Sequence, residues 1–174
     1  SEEVDLVGLL VDTVADARAA GPDHDWQLDL AVLEPPADAT PQEAEDFLPE
    51  PPLVIGDEAR LRQVVVNLLA NARVHTPAGS HVTTTLAREG DTLIVRIHDD
   101  GPGIAPDVRD RLFERFARGD SSRERRTGST GLGMSIALAI VQSHGGSIDV
   151  DSYTAPEDHG TTFSVRLPAA AVEE

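Results

Sequence analysis

The sequence predicts an α+β fold: a two-layer α/β sandwich with a mixed, mostly antiparallel sheet and helices on one face. Three observations predict it. Strand-like runs come in adjacent pairs, as at 81–88 with 92–98 and at 147–152 with 161–167. Helical runs carry a single apolar stripe and so need one surface to pack on. The order α β (β) α β β α α β β mixes hairpins with helices instead of alternating strictly. At 174 residues with 40% apolar content, one domain over 1–174 with a real core is expected.

Residues 4–20 read as an amphipathic helix with Val7, Leu10, Val14 and Ala17 on one side, stopped by Gly21-Pro22. Residues 26–33 alternate as a strand with Trp26, Leu28, Leu30 and Val32 on one face, and Trp26 is expected in the core. Residues 34–52 are rich in proline and acid with no sustained period, so a mobile, solvated insertion is expected. A short strand at 53–55 leads into the helix 57–76. There Leu61, Val64, Val65, Leu68, Leu69 and Ala72 make one buried stripe. Asp57 is its expected N-cap, and Pro77 with Gly79 its stop. Asn67, Asn71 and His75 recur every fourth residue and share another face. Glu89-Gly90-Asp91 joins the next two strands as a hairpin turn. The second strand runs into Asp99-Asp100-Gly101-Pro102-Gly103-Ile104. Pro106 can open a short helix. Residues 118–129 carry no buried pattern and read as a flexible loop. Gly131-Leu132-Gly133 opens an apolar helix that ends at Gly145-Gly146. Two strands with an acidic loop between them close the fold, and a tail follows Pro168.

Net charge is −17, which argues against a nucleic-acid-binding face. The charge is uneven. Residues 109–126 hold seven arginines against four acids, a local +3 on a body of −20. Such an island suits a small polyanion, or else a salt-bridged helix and loop. There is no cysteine, so thiolate chemistry is excluded, and no lysine. Without lysine there is no P-loop and no protein-kinase glycine loop with its partner lysine. Ile136 stands where a dinucleotide fingerprint from Gly131 needs its third glycine. No run is long and apolar enough to span a bilayer, and no signal peptide is visible at Ser1.

The remaining motifs gain meaning together. Two asparagines one turn apart form either a solvated flank or a pair of neutral oxygen ligands for a hard cation such as Mg²⁺. The Asp99-x-Gly101-x-Gly103 turn at a strand end lets backbone approach a flat ligand, with a carboxylate to accept from an exocyclic amine. A Gly-x-Gly helix start offers open N–H groups to phosphate.

In this order the motifs resemble the ATP-binding catalytic domain of bacterial sensor histidine kinases, in the superfamily that includes DNA gyrase, a heat-shock chaperone and a mismatch-repair ATPase. The N box is LRQVVVNLLANARVHT, the G1 box DDGPGI, the F box RLFERFARGD and the G2 box TGSTGLGMSIALAIVQSHGG; GTTFSVRLP closes the match. The resemblance spans about 5–168 and implies a Bergerat-type fold with an ATP lid at about 105–130. It implies ATP and Mg²⁺ as ligands. Asn71 would coordinate the metal, with Asn67 assisting. Asp99 would bind adenine N6, with Gly101, Gly103 and Ile104 giving it room and Thr162 beside it. His75, Arg118, Gly131, Leu132 and Gly133 would meet phosphate, while Phe113 and Phe116 anchor the lid.

One departure is Val74, where the family usually carries a basic residue; the neighbouring Arg73 lies about 100° around the helix. Asn67 also stands near where hydrolysing relatives place a glutamate base, which favours transfer over hydrolysis. The resemblance implies a kinase domain that phosphorylates a histidine in a separate dimerisation domain, which then serves a response regulator. It implies a cytoplasmic domain, monomeric alone, of a membrane-anchored parent. Two alternatives remain open: a nucleotide-binding regulatory module without kinase activity, and a serine-directed kinase of the anti-sigma type.

Overall fold

The computed structural model describes residues 1–108 and 131–171, with the side chains of 131 and 132 left aside. Its main sheet has five strands in the order β2-β4-β5-β7-β6. They are β2 (Asp25–Asp29), β4 (His81–Glu89), β5 (Thr92–Asp99), β6 (Ser147–Ala155) and β7 (Asp158–Pro168). Only the β2–β4 pair is parallel. A second, two-stranded antiparallel sheet pairs β1 (Glu2–Asp5) with β3 (Leu53–Gly56). Three long helices, α1 (Leu6–Ala20), α3 (Glu58–His75) and α4 (Gly131–Ser143), share one core with the sheet.

Strand alternation explains that core. Leu93, Val95 and Ile97 of β5 and Phe163, Val165 and Leu167 of β7 are buried in it. The stripe predicted on α3 is buried residue for residue. Leu68 sits at its centre, fully buried. Replacing it by alanine removes apolar contacts and leaves a cavity. Chemical denaturation of Leu68→Ala is expected to show a loss of about 2–5 kcal/mol with an unchanged m-value.

Five expectations are corrected. The first helix starts at Leu6, because Asp5 caps it by accepting from the Val7 N–H at 2.9 Å. Residues 2–5 pair with 53–56 instead, so the predicted single sheet is joined by a small second one. The strand at Trp26 ends at Asp29. Beyond it Leu33 and Glu34 N–H groups bond back to Leu30 and Ala31 carbonyls, closing a 3₁₀ turn. Trp26 is buried as expected, its indole N–H donating to the Gly21 carbonyl at 2.7 Å. The insertion holds a helix, α2 (Pro41–Glu45), with Thr40 and Glu43 forming a reciprocal capping box. It buries no side chain, so capping and local bonds carry it. Finally, β6 and β7 run on through the expected acidic loop and meet at Ala155–Asp158.

The two core helices that bear the glycine and asparagine motifs are clasped at both ends of their contact. At one end His144 Nε2 accepts from the Asp57 N–H at 3.1 Å, while its Nδ1 lies 2.7 Å from the Ile140 carbonyl. At the other, Asn67 Nδ2 donates to the Gly133 carbonyl at 3.1 Å.

Candidate functional site

The last turns of α3, the end of β5 and the turn after it enclose a cleft of about 330 Å³. Asn71, His75, Asp99, Gly103, Ile104, Ala105, Val108 and Thr161 line it. Register explains the convergence. Asp99 lies opposite Thr161 on β7, and Thr161 lies opposite Ser152 on β6. The three side chains stand in one row across three strands, on the face that carries the core. They continue the phase that apolar residues hold farther along the same strands.

Burial makes the row chemically distinct. Asp99 is only 7% exposed and Thr161 4%. Burial pushes the Asp99 carboxyl above the usual carboxylate range, partly offset by the Gly101 N–H that Oδ1 accepts at 3.0 Å and by nearby His98 and His75. Asn71, 7% exposed, contributes a buried amide from the facing helix. Together they offer one carboxylate acceptor, one amide and one hydroxyl around a slot otherwise lined by His75, Gly103, Ile104, Ala105 and Val108. That set suits a flat, amine-bearing heterocycle.

The turn is held rigidly. Asp100 accepts from the His81 N–H at 2.8 Å and returns its own N–H to the His81 carbonyl at 3.2 Å. His159 Nδ1 is 2.7 Å from the Gly101 carbonyl. The Ile104 N–H donates to Ser152 Oγ at 2.6 Å. A Cβ on Gly101 would lie 2.6 Å from the Thr76 methyl. Gly103, at φ +83°, packs directly on the Tyr153 carbonyl. Glycine is required at both places for space, and at Gly103 for conformation as well.

The sequence-predicted residues do not all fall in the cleft. Asn71, His75, Asp99, Gly103 and Ile104 line it, and Gly101 forms the turn beneath Asp99. Asn67 lies one turn back along α3, its amide nitrogen donating to the Gly133 carbonyl. Through that bond the Gly131–Gly133 helix start adjoins the asparagine face, so the two glycine motifs and the asparagine helix share one region. Thr162 is a correction. It is one residue out of phase and points to the opposite face, where its hydroxyl lies 2.8 Å from His98 Nδ1. Thr161 takes the place beside Asp99. Phe113, Phe116 and Arg118 lie outside the described residues. Ser152 and His159 were missed in sequence, because neither sits in a recognisable motif.

Among the described residues the basic side of the site is thin. Val74 is 55% exposed and offers no charge. The stem of Arg73 packs against Gly21, on the far side of α3 from the cleft, so it does not replace a basic residue at 74.

Among the described residues no group of three or more His, Asp or Glu side chains could hold a metal. The fitting donors are the amide oxygens of Asn71 and Asn67, which are neutral and too few for a resident ion. They suit Mg²⁺ that keeps several waters and arrives with phosphate oxygens.

Comparison with known proteins gives a consistent result. The family model described as histidine kinase-, DNA gyrase B- and HSP90-like ATPase matches residues 56–171. The chain is 48% identical over 165 residues to a probable sensor histidine kinase, TcrY, of Mycobacterium tuberculosis. That match covers 95% of this chain but 30% of TcrY, so the chain spans under a third of that relative's length. Among solved structures it is similar to the mycobacterial sensor histidine kinase MprB, at 29% identity and TM-score 0.72, covering 98% of this chain and 100% of that one. It is also similar to full-length ShkA in complex with AMPPNP, at 26% identity and TM-score 0.70, covering 98% of this chain and 31% of ShkA.

Proposed function

Since the chain belongs to the family of histidine kinase-, DNA gyrase B- and HSP90-like ATPases, we propose that it holds Mg-ATP in the Asn71–Asp99 cleft and donates the γ-phosphate to a histidine on a separate dimerisation domain. The observation that carries this reading is the pairing of a buried carboxylate, Asp99, with a buried amide, Asn71, across one slot. That TcrY is a probable sensor histidine kinase and MprB a sensor histidine kinase, and that ShkA is solved with AMPPNP, supports it.

In this reading Asp99 accepts from the exocyclic amine of adenine, and Gly101, Gly103 and Ile104 leave the ring its space. Asn71, with Asn67 assisting, holds the magnesium, which supplies neutralisation of phosphate charge. Gly131, Leu132 and Gly133 present helix-start N–H groups to the phosphates. His75 reaches the same phosphates from the last turn of α3. With Val74 uncharged and Arg73 turned away, Arg118 supplies the missing cationic contact. Asn67 has no proton-accepting group to activate water, so the site protects ATP until an acceptor arrives. The receiving histidine would pass the phosphate on to a response regulator. The domain would work in the cytoplasm, where ATP is. Among the described residues no helix is long and apolar enough to cross a membrane.

Calorimetry tests binding and radiolabel tests transfer. ATP binding is expected to depend on Mg²⁺ and to weaken on Asn71→Ala. With γ-labelled ATP the 174-residue chain alone should acquire no covalent label. Adding a dimerisation domain that bears the acceptor histidine should produce acid-labile label on that domain. Absence of binding at millimolar Mg-ATP would favour a non-catalytic module, the alternative that Val74 raises. Label on the isolated chain would overturn the division of labour.

A further inference from the structure

The insertion at 34–52 has a defined shape although its helix packs on nothing. α2 buries no side chain, yet Pro41 in its first turn and the Thr40–Glu43 capping box fix it. Six prolines in nineteen residues restrict the rest of the segment. Both ends are tied to the sheet. The 3₁₀ turn Ala31–Leu33 that leads in packs on β4. At the exit Arg88 of β4 pairs with Glu50 at 3.3 Å and donates to the Pro51 carbonyl at 3.3 Å. Between the two ties lies a groove of about 610 Å³, larger than the 330 Å³ of the Asn71–Asp99 cleft. Val32, Pro35, Pro36, Phe47, Leu48 and Ala87 line it. Leu48 is 87% exposed, more than any other large apolar side chain among the described residues. An apolar surface held in shape and left open to water marks a contact site more often than a solvated loop.

Charge says what kind of occupant fits. Residues 34–52 carry six acids and no base, so they hold −6 of the chain's −17 in nineteen of its 174 residues. Among the described residues only Glu50 of the six has an ion-pair partner. Such a field repels phosphate backbones and anionic lipid surfaces and attracts cationic groups. Apolar side chains set among carboxylates complement a segment that carries apolar and basic side chains together. We propose that the insertion is a docking groove for a cationic, amphipathic segment of a partner protein. The segment seats an apolar side chain against Phe47 and Leu48 and sets its basic side chains against the carboxylates of the insertion. Because the prolines and the cap already hold the groove, little ordering is left to oppose binding. The groove is separate from the cleft. Ala87 stands five residues along β4 from Val82, the partner of Asp99, which is about 17 Å of strand. The two share no lining residue, so both can be filled at once.

The probe is a labelled peptide of leucine and lysine patterned as an amphipathic helix, titrated with the 174-residue chain by fluorescence anisotropy near physiological salt. Its counterpart has glutamate at every lysine. The wild type is expected to bind the leucine–lysine peptide, more tightly as salt is lowered, and not the leucine–glutamate one. Leu48→Ser should weaken binding about tenfold, the loss of one apolar anchor. Its side chain is exposed, so the fold and the melting temperature should not change. Glu43→Gln with Glu45→Gln, which keeps the capping box, should weaken binding and flatten its salt dependence. Asp149→Asn with Asp151→Asn removes two carboxylates from β6, at the other edge of the sheet, and should change affinity by about twofold or less. If Leu48→Ser binds as the wild type does, or the β6 pair costs as much as the insertion pair, the attraction is only the net charge and the groove is not a docking site. Absence of binding by the wild type, or equal binding of the leucine–glutamate peptide, overturns the proposal as well. A wild-type dimer in sedimentation that Leu48→Ser makes monomeric would assign the groove to a second copy of the chain and overturn the cationic partner.

Discussion

Asp99→Asn is expected to cut Mg-ATP affinity by at least about tenfold, and toward a hundredfold, while raising the melting temperature of the empty domain. Both effects have one cause. The Asp99 carboxylate is buried, and burial raises its pKa. A charge kept there without a full set of donors costs stability. Its visible donor is the Gly101 N–H, which asparagine can also satisfy through its amide oxygen. The variant therefore keeps the turn and loses the penalty. What it loses functionally is a charged acceptor, and hydrogen bonds to charged groups are worth about 1.5–3 kcal/mol.

The pH dependence follows with a definite sign. For a carboxyl raised in the folded state, the cost of ionisation is absent below the unfolded pKa and fully present above the folded one. Stability from this group falls as pH rises through that window, and Asp99→Asn abolishes the dependence. Nucleotide affinity moves the other way, lost as acid protonates the acceptor. Thermal melts and calorimetry followed from acid to neutral pH check both. A melting temperature that drops in Asp99→Asn would mean the carboxylate supports the fold, and the site would have to be reassigned.

How much of this was legible in the sequence depends on how local the signal is. The α3 stripe was read correctly because a period of 3.6 over eighteen residues leaves one solution. The Asp99–Gly103 turn was read because glycines at fixed offsets announce a special backbone. Thr162 failed for a reason the sequence contained. Phe163, Val165 and Leu167 are the buried phase of β7, and stepping back by two from Phe163 reaches Thr161. The resemblance pointed one residue off, and strand alternation was not applied to the end of the strand. Ser152 and His159 were illegible in a stronger sense. They reach the turn from β6 and β7 across more than forty residues of chain, and nothing near them signals a contact. The β1–β3 pair was hidden likewise, because a four-residue strand against a helix start has no period to show.

The glycines separate space from conformation, and Gly103→Ala should produce the larger loss. At φ +83° an alanine is held in a region that costs a non-glycine residue about 1–3 kcal/mol. The new methyl would also collide with the Tyr153 carbonyl, which is backbone of β6 and cannot rotate away. Both strains are relieved together if the turn lifts off β6. Lifting it breaks the Ile104–Ser152 bond and spoils the wall that Gly103 and Ile104 give the cleft. The expected result is loss of measurable ATP binding, with a melting temperature several degrees lower. Gly133→Ala is the informative contrast. Its added methyl would sit 3.5 Å from Asn67, ordinary contact distance, so the fold should tolerate it. If Gly103→Ala melted and bound ATP like the wild type, the turn would be free to move, and the cleft could not owe its shape to the pinning described here.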